Sequence, residues 1–293
     1  MSAPTRRHEP VRPAAPPARV VVRAVVGRIG FYAFVAVAGL FFAVPMLWLV
    51  LAPFDATPGL AAEIPSSVTL DNFRAVLENP FALRSLWNSL LLSVITTLLI
   101  IAAAALSAYA LSRVRIPGRD LMLYVLLLFS AVVTGTAAMV PIFRLVFELG
   151  LINRHVGVVL VLAGGLLPAG VFILKDFMDG LPRSYEESAL VAGASSFQVL
   201  RDIVTPVVRP GLAVIGVWAL VQVWGDFLVP FILLRDPNLS PAAVVMFNFY
   251  TEGGTANIPL LAAFSLLYTL PVVALYLFVN RRYGFRFYGG IKS

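Results

Sequence analysis

The sequence predicts an all-α integral membrane protein: six transmembrane helices, both termini cytoplasmic, and a cytoplasmic helix-turn-helix loop between spans four and five. Three observations predict it. Apolar residues make up 60% of the 293 residues and charged residues only 13%, with a mean hydropathy of +0.90; a soluble domain carries about 25% charged residues. The apolar residues are gathered into long runs, and about 20 of them cross a hydrocarbon core of roughly 30 Å at 1.5 Å per residue. The basic residues fall mainly on one side of those runs, as the positive-inside rule requires.

Residues 1–28 are rich in Pro, Ala and Arg without helical periodicity, and are expected to form a disordered basic cytoplasmic tail. The run that follows is too long for a signal peptide and reads as an anchor. The transmembrane domain spans residues 29–280, with spans at about Ile29–Phe54, Leu86–Leu111, Leu121–Phe147, Val156–Phe177, Gly211–Leu234 and Pro259–Asn280; a cytoplasmic tail, 281–293, follows. With the amino terminus inside, the cytoplasmic segments carry seventeen Lys and Arg residues. The outer loops hold four, Arg74, Arg84, Arg154 and Arg235, and Arg144 lies near the outer end of span three. The first outer loop, 55–85, is expected to contain an extended stretch and a short helix capped by Asp71. The outer loop 235–258 reads as a surface loop, with a re-entrant or lid segment as the alternative.

The longest ordered cytoplasmic piece is a polar island at 178–210, containing "SYEESALVAGASSFQ". Ser184 and Glu187 have capping-box spacing, and Glu186 and Glu187 suit the positive end of a helix. Gly193 falls where a helix turns left-handed to stop, and Ser195 with Gln198 repeats the capping-box spacing. Pro206 and Pro210 limit the second helix. The first helix has small side chains and no aromatic or basic stripe for lipid. A rigid, small-faced, acid-tipped knob suits docking in a protein groove better than lying on a membrane.

"EESALVAGASSFQVLRDIVTP" resembles the EAA loop of the membrane subunits of binding-protein-dependent ABC importers. Glu187, Ser188, Ala189, Gly193, Ile203 and Pro206 keep that motif's spacing, while Ser188, Thr205 and Ala192 depart from its usual residues. "RIPGR", "LGLIN", "FILKDF", "LPRSYEE" and "WGDFLVP" extend the resemblance from the first span to the carboxyl terminus and point to the carbohydrate-uptake branch. There Gly225 and Asp226 replace the usual Asn and Glu. The resemblance implies a coupling role for Glu186, Glu187, Ser188, Ala189, Gly193, Ala194, Ser195, Ile203 and Pro206. It also implies the partners: a second homologous permease subunit, a cytoplasmic ATPase dimer holding ATP and Mg, and an external solute-binding protein or lipoprotein. The expected location is the bacterial cytoplasmic membrane, in contact with lipid.

The chain has no phosphate-binding loop, and its only lysines are Lys175 and Lys292. It is therefore expected to be no enzyme, to have no catalytic residues and to bind no cofactor itself. It has no cysteine and only two histidines, His8 and His155, which leaves no expected metal site. Its basicity reads as membrane topology, so no nucleic-acid partner is expected. Within the spans, Asp226, Trp224, Asn88 and Arg144 are the candidates for a substrate pathway. Each has a structural alternative: a packing carboxylate, an interface anchor, an interhelical hydrogen bond and a pair with Glu148. The expected cargo is a sugar. Glycerol phosphate or another polyol derivative is the alternative within the class, and an ATP-independent secondary carrier is the alternative outside it.

Overall fold

A computed structural model describes residues 18–59, 67–114, 117–133, 136–251 and 257–283. The expected tails up to residue 17 and from residue 284 lie outside these. The described residues are helical, apart from connecting turns and an isolated antiparallel bridge between Asp55 and Val68.

Helix α1 (Ala18–Leu51) begins earlier than expected, so residues 18–28 continue the helix of the first span and are not tail. A 3₁₀ turn, Ala52–Phe54, ends it. Helix α2 (Asp71–Glu78) is the short outer helix, but Asp71 is its first residue and not its cap; Thr69 Oγ1 accepts the Asp71 N–H at 3.1 Å. Asn72 is buried and donates to the carbonyls of Pro53 and Asp55, which pins α2 beneath the end of the first span.

Helix α3 (Ala82–Arg113) is the second span. Its buried face reads Ser85, Ser89, Ser93, Thr96, Ile100, Ala104, Ala108 and Ser112. That is a three- or four-residue spacing of small and hydroxyl side chains, which lets neighbouring backbones approach without lipid between them. The expected third span is two helices, α4 (Arg119–Val133) and α5 (Met139–Glu148), separated by a 3₁₀ turn at Thr136–Ala138. Helix α6 (His155–Asp179) is the fourth span and carries Pro168 internally.

The polar island holds α7 (Ser184–Val191) and α8 (Ser196–Val199). Helix α8 widens through a π-helical stretch, Leu200–Val204, into α9 (Thr205–Val207). The chain then bends by 80° into α10 (Arg209–Gly225). Gly211 sits at this elbow because a side chain there would come within 2.6 Å of the Phe177 ring.

The expected fifth span is not continuous. It stops at Gly225, and Asp226 adopts an extended backbone before α11 (Leu228–Leu233). Asp226 Oδ1 accepts the Val229 N–H at 3.0 Å, the geometry of a helix-starting cap. Helix α12 (Ala242–Thr251) occupies the segment read as a surface loop, and its Ala242, Val245 and Phe249 are buried against α3 and α13 (Ile258–Tyr283). The loop reading therefore fails: the apolar run there is buried core. Helix α13 carries the sixth span three residues past Asn280.

Among the described residues, α1, α3, α6 and α13 are each long and apolar enough to cross a membrane, and α10 with the bent helix before it makes a fifth. Helices α3, α6 and α10 form the centre, with Ile100, Ala104, Val171, Leu174, Ile215 and Ala219 in one buried cluster.

The end opposite the knob is held by backbone carbonyls and polar side chains. Asn153, with φ of 56°, donates its N–H to the Leu233 carbonyl, and its Oδ1 accepts the N–H groups of Arg235 and Asp236. Asn88 Nδ2 donates to the carbonyls of Asn238 and Ser240, and Ser89 Oγ accepts the Ala242 N–H. The Asn238 amides hold the Asp236 carboxyl below the usual carboxylate range. Asn88 therefore bonds to a loop, not to a neighbouring helix as expected. Asn88→Ala leaves two carbonyls without their donor, which costs about 1–3 kcal/mol. It should lower the melting temperature of the purified protein and speed hydrogen exchange over residues 236–245; unchanged exchange there would refute the clamp.

Candidate functional site

The knob formed by α7, α8 and the π-helical stretch is built from two unlike halves. Its inner side belongs to the core of the spans: Val199, Leu200, Val204 and Val208 are buried in the same cluster as Ala108, Leu174 and Met178. Its outer side is exposed, with Val191 at 90% and Phe197 at 63% relative exposure beside Tyr185, Leu190, Glu187 and Ser188. Apolar side chains so exposed on an otherwise polar segment mark a contact surface.

Helix α7 does not begin with a capping box. Arg183 precedes it in helical conformation, without a side-chain cap, and the Arg183 carbonyl accepts the N–H groups of Glu186 and Glu187. Ser184 is the first helical residue, and its carbonyl accepts the Ser188 hydroxyl. Arg183 already has helical backbone, and the Glu187 N–H that a Ser184 cap would accept is bonded to the Arg183 carbonyl instead. The second expected capping box is present. Ser195 Oγ accepts the Gln198 N–H at 3.3 Å, and Gln198 Oε1 accepts the Ser195 N–H at 2.8 Å. Between the helices Gly193 has φ of +94°, a conformation that a side chain strains, although a Cβ there would meet nothing within 4 Å.

The adjacent glutamates point to opposite sides. Glu187 is exposed, whereas Glu186 is 4% exposed and buried against the end of α3. Arg113 in the last turn of α3 donates through Nε to Glu186 Oε1 at 2.8 Å and also through Nη2. Tyr109, one turn earlier, donates its hydroxyl to Glu186 Oε2 at 3.2 Å. Glu186, expected among the residues that meet a partner, is therefore an internal fastener.

A second set of contacts surrounds it. Arg183 Nη2 donates to the Ser112 carbonyl, the Ser112 hydroxyl to Asp179, and Lys175 Nζ to Asp179 Oδ2 at 2.6 Å. Lys175 also pairs with Asp120 at 3.5 Å. The ends of α3 and α6 and the starts of α4 and α7 thus share one polar network. The sequence did not pair Arg113 or Lys175 with the carboxylates, since only folding brings them together.

The remaining expected residues lie in several places. Ala189 and Ala194 are half-buried under the knob, Ser195 is exposed, and Ile203 and Pro206 are half-buried in the stretch that leads to the elbow. The pathway candidates are not brought together. Trp224 is 4% exposed and stacks on Tyr268 at 5.3 Å, whose hydroxyl donates to the Trp224 carbonyl; its indole face is used and is not free for a ring. Arg144 is exposed and pairs with Glu148 at 2.9 Å, four residues on. Asn88 belongs to the outer clamp. Only Asp226 lines a cleft between helices.

A Glu186→Gln substitution leaves Arg113 facing a neutral amide in a nearly dry site, and breaking a buried pair costs about 3–5 kcal/mol. Hydrogen exchange over residues 184–199 should rise sharply, and the Glu186→Arg/Arg113→Glu swap should restore part of the protection. Equal exchange in wild type and Glu186→Gln would remove the fastening role.

The chain is 30% identical over 244 residues to the galactooligosaccharides transport system permease protein GanQ of Bacillus subtilis, covering 82% of this chain and 86% of the relative. It is 28% identical to the trehalose transport system permease protein SugB of Mycobacterium tuberculosis, covering 81% and 88%. Its fold matches a subunit of a bacterial ABC transporter involved in the import of the acidic polysaccharide alginate. The TM-score is 0.75 at 20% identity, covering 92% of this chain and 99% of that one. Residues 120–285, from the start of α4 through the knob to the end of α13, match the family described as "Binding-protein-dependent transport system inner membrane component". The chain belongs to that family of multi-pass inner-membrane transport subunits.

Proposed function

We propose that the chain is the permease subunit of an ATP-driven ABC importer for a sugar, working in the bacterial cytoplasmic membrane with six spans and both termini inside. The relatives named as permeases for galactooligosaccharides, trehalose, maltodextrin and melibiose, raffinose and stachyose support the class of cargo. The observation that carries the reading is the two-sided knob, buried by Glu186 and Val199 on one side and open at Glu187, Val191 and Phe197 on the other. The open side docks on a cytoplasmic ATPase dimer, which binds the ATP and Mg. A second homologous permease subunit completes the pathway, and an external solute-binding protein delivers the sugar. This chain is not an enzyme and supplies no cofactor.

In this mechanism ATPase closure displaces the knob as a rigid body. The core cluster carries that displacement into α6 and α10, and the Arg113–Glu186 pair carries it into α3. A partner can shift the equilibrium between inward- and outward-open states only through contacts that differ between them. Glu187 meets a basic residue of the ATPase, Ser188 allows close approach, Ala189 and Ala194 seat the knob on the core so that it moves with the spans, and Gly193 with the Ser195 cap sets the angle of the second helix. Ile203 and Pro206 lead the motion to the elbow.

The test is to purify the tagged protein with its partners, reconstitute it in vesicles and measure uptake of maltotriose, raffinose and galactotriose with and without ATP. Gly193→Asp should abolish ATP-dependent uptake while the protein still inserts and accumulates. Near wild-type uptake by that variant would sink the coupling role. Uptake that persists without ATP would favour the secondary-carrier reading.

A further inference from the structure

Asp226 does not stand alone. Trp218, Gln222 and Asp226 succeed one another at four-residue intervals and so lie along one face of α10 and its end. All three line a cleft of about 240 Å³. Opposite them, α6 contributes Gly165 and Ala169, again four apart, and α4 contributes Ser130. Leu162 and Leu166 of α6 complete the lining.

The polar groups are oriented without being consumed. Asp226 Oδ1 accepts the Val229 N–H, and its second oxygen has no hydrogen-bond partner among the described residues. The same is true of the Gln222 amide. The Asp226 carboxylate is partly buried between apolar helices and needs water or ligand hydroxyls to replace lost hydration, while the Gln222 amide is exposed at the mouth of the cleft. The combination of an indole, an amide and a carboxylate suits a ring with an apolar face and donor hydroxyls at its rim.

We infer that this cleft is a carbohydrate subsite contributed by this chain, taking uncharged or amino-bearing sugars and excluding anionic ones. It rests on the importer reading and adds a site and a charge rule. The carboxylate accepts from sugar hydroxyls or from an ammonium, whereas a uronate or phosphate in the same place meets like charge with no basic residue lining the cleft.

The absence of cysteine makes a direct test possible. Ala169→Cys is introduced into the assembled, reconstituted complex. Its modification by a trimethylammonium-bearing and a sulfonate-bearing thiosulfonate is read by mass spectrometry of this chain. Each rate is divided by that reagent's rate with free 2-mercaptoethanol. The cationic reagent should then be favoured by about tenfold, as a carboxylate a few ångströms away in partly hydrated surroundings implies. Asp226→Asn, which keeps the oxygen that starts α11, should bring the ratio close to one. Maltotriose, raffinose or galactotriose should slow modification several-fold, and Trp218→Ala or Gln222→Ala should remove that protection. Equal normalised rates with Asp226 present, or a preference that survives Asp226→Asn, overturns the charge rule. Protection by none of the three sugars overturns the subsite. Loss of all ATP-dependent sugar uptake in the unmodified complex would instead refute the importer reading while leaving the reagent ratios to stand.

Discussion

A buried carboxylate must meet a cation or lose its charge, and that requirement organises the knob end of this molecule. Helix α7 is eight residues long, too short to hold itself on propensity alone. Glu186 gives it a single deep attachment, to Arg113 at the end of α3, reinforced by the Tyr109 hydroxyl. Once Glu186 points inward, helical periodicity turns Glu187, Ser188 and Val191 outward. The exposed face and the fastening are thus two consequences of one ion pair.

The attachment also determines which helices share the load. By covalent connection alone the knob would act on α6 and α10, between which it lies. The pair adds α3, and the contacts of Ser112, Asp179, Lys175 and Asp120 add α4. These helices already pack closely through Ala104, Ala108 and Gly170, where a side chain on Gly170 would lie 3.2 Å from Ile100. A close-packed interior transmits displacement and does not absorb it. On the proposed mechanism, a small movement of the knob therefore reaches most of the bundle.

The opposite end is stabilised by different chemistry. No charge pair holds its loops to the spans among the contacts described; amides do so, with Asn153 and Asn88 gripping the segment between α11 and α12. The break at Asp226 follows from the same economy. Its carboxylate starts a new helix and leaves one oxygen at a cleft, so an interruption in a span becomes a polar position inside it.

Helical class, the first, second, fourth and sixth spans and the existence of the knob were legible because they depend on local quantities: run length, hydropathy, capping spacing and a glycine at a left-handed turn. The Ser195–Gln198 cap and the φ of Gly193 are cases where neighbouring residues suffice. The missed features all pair residues far apart in sequence. Ser184 has capping spacing, but Arg183 has already begun the helix. Asp226 lies in an apolar run yet ends one helix and starts another. Trp224 is spent on Tyr268, and the apolar stretch after Arg235 is covered by α3 and α13. Linear order could not choose between Glu186 and Glu187, because both suit the start of a helix. Only the packing of α7 against the end of α3 brought Arg113 within hydrogen-bonding reach of one and left the other in solvent.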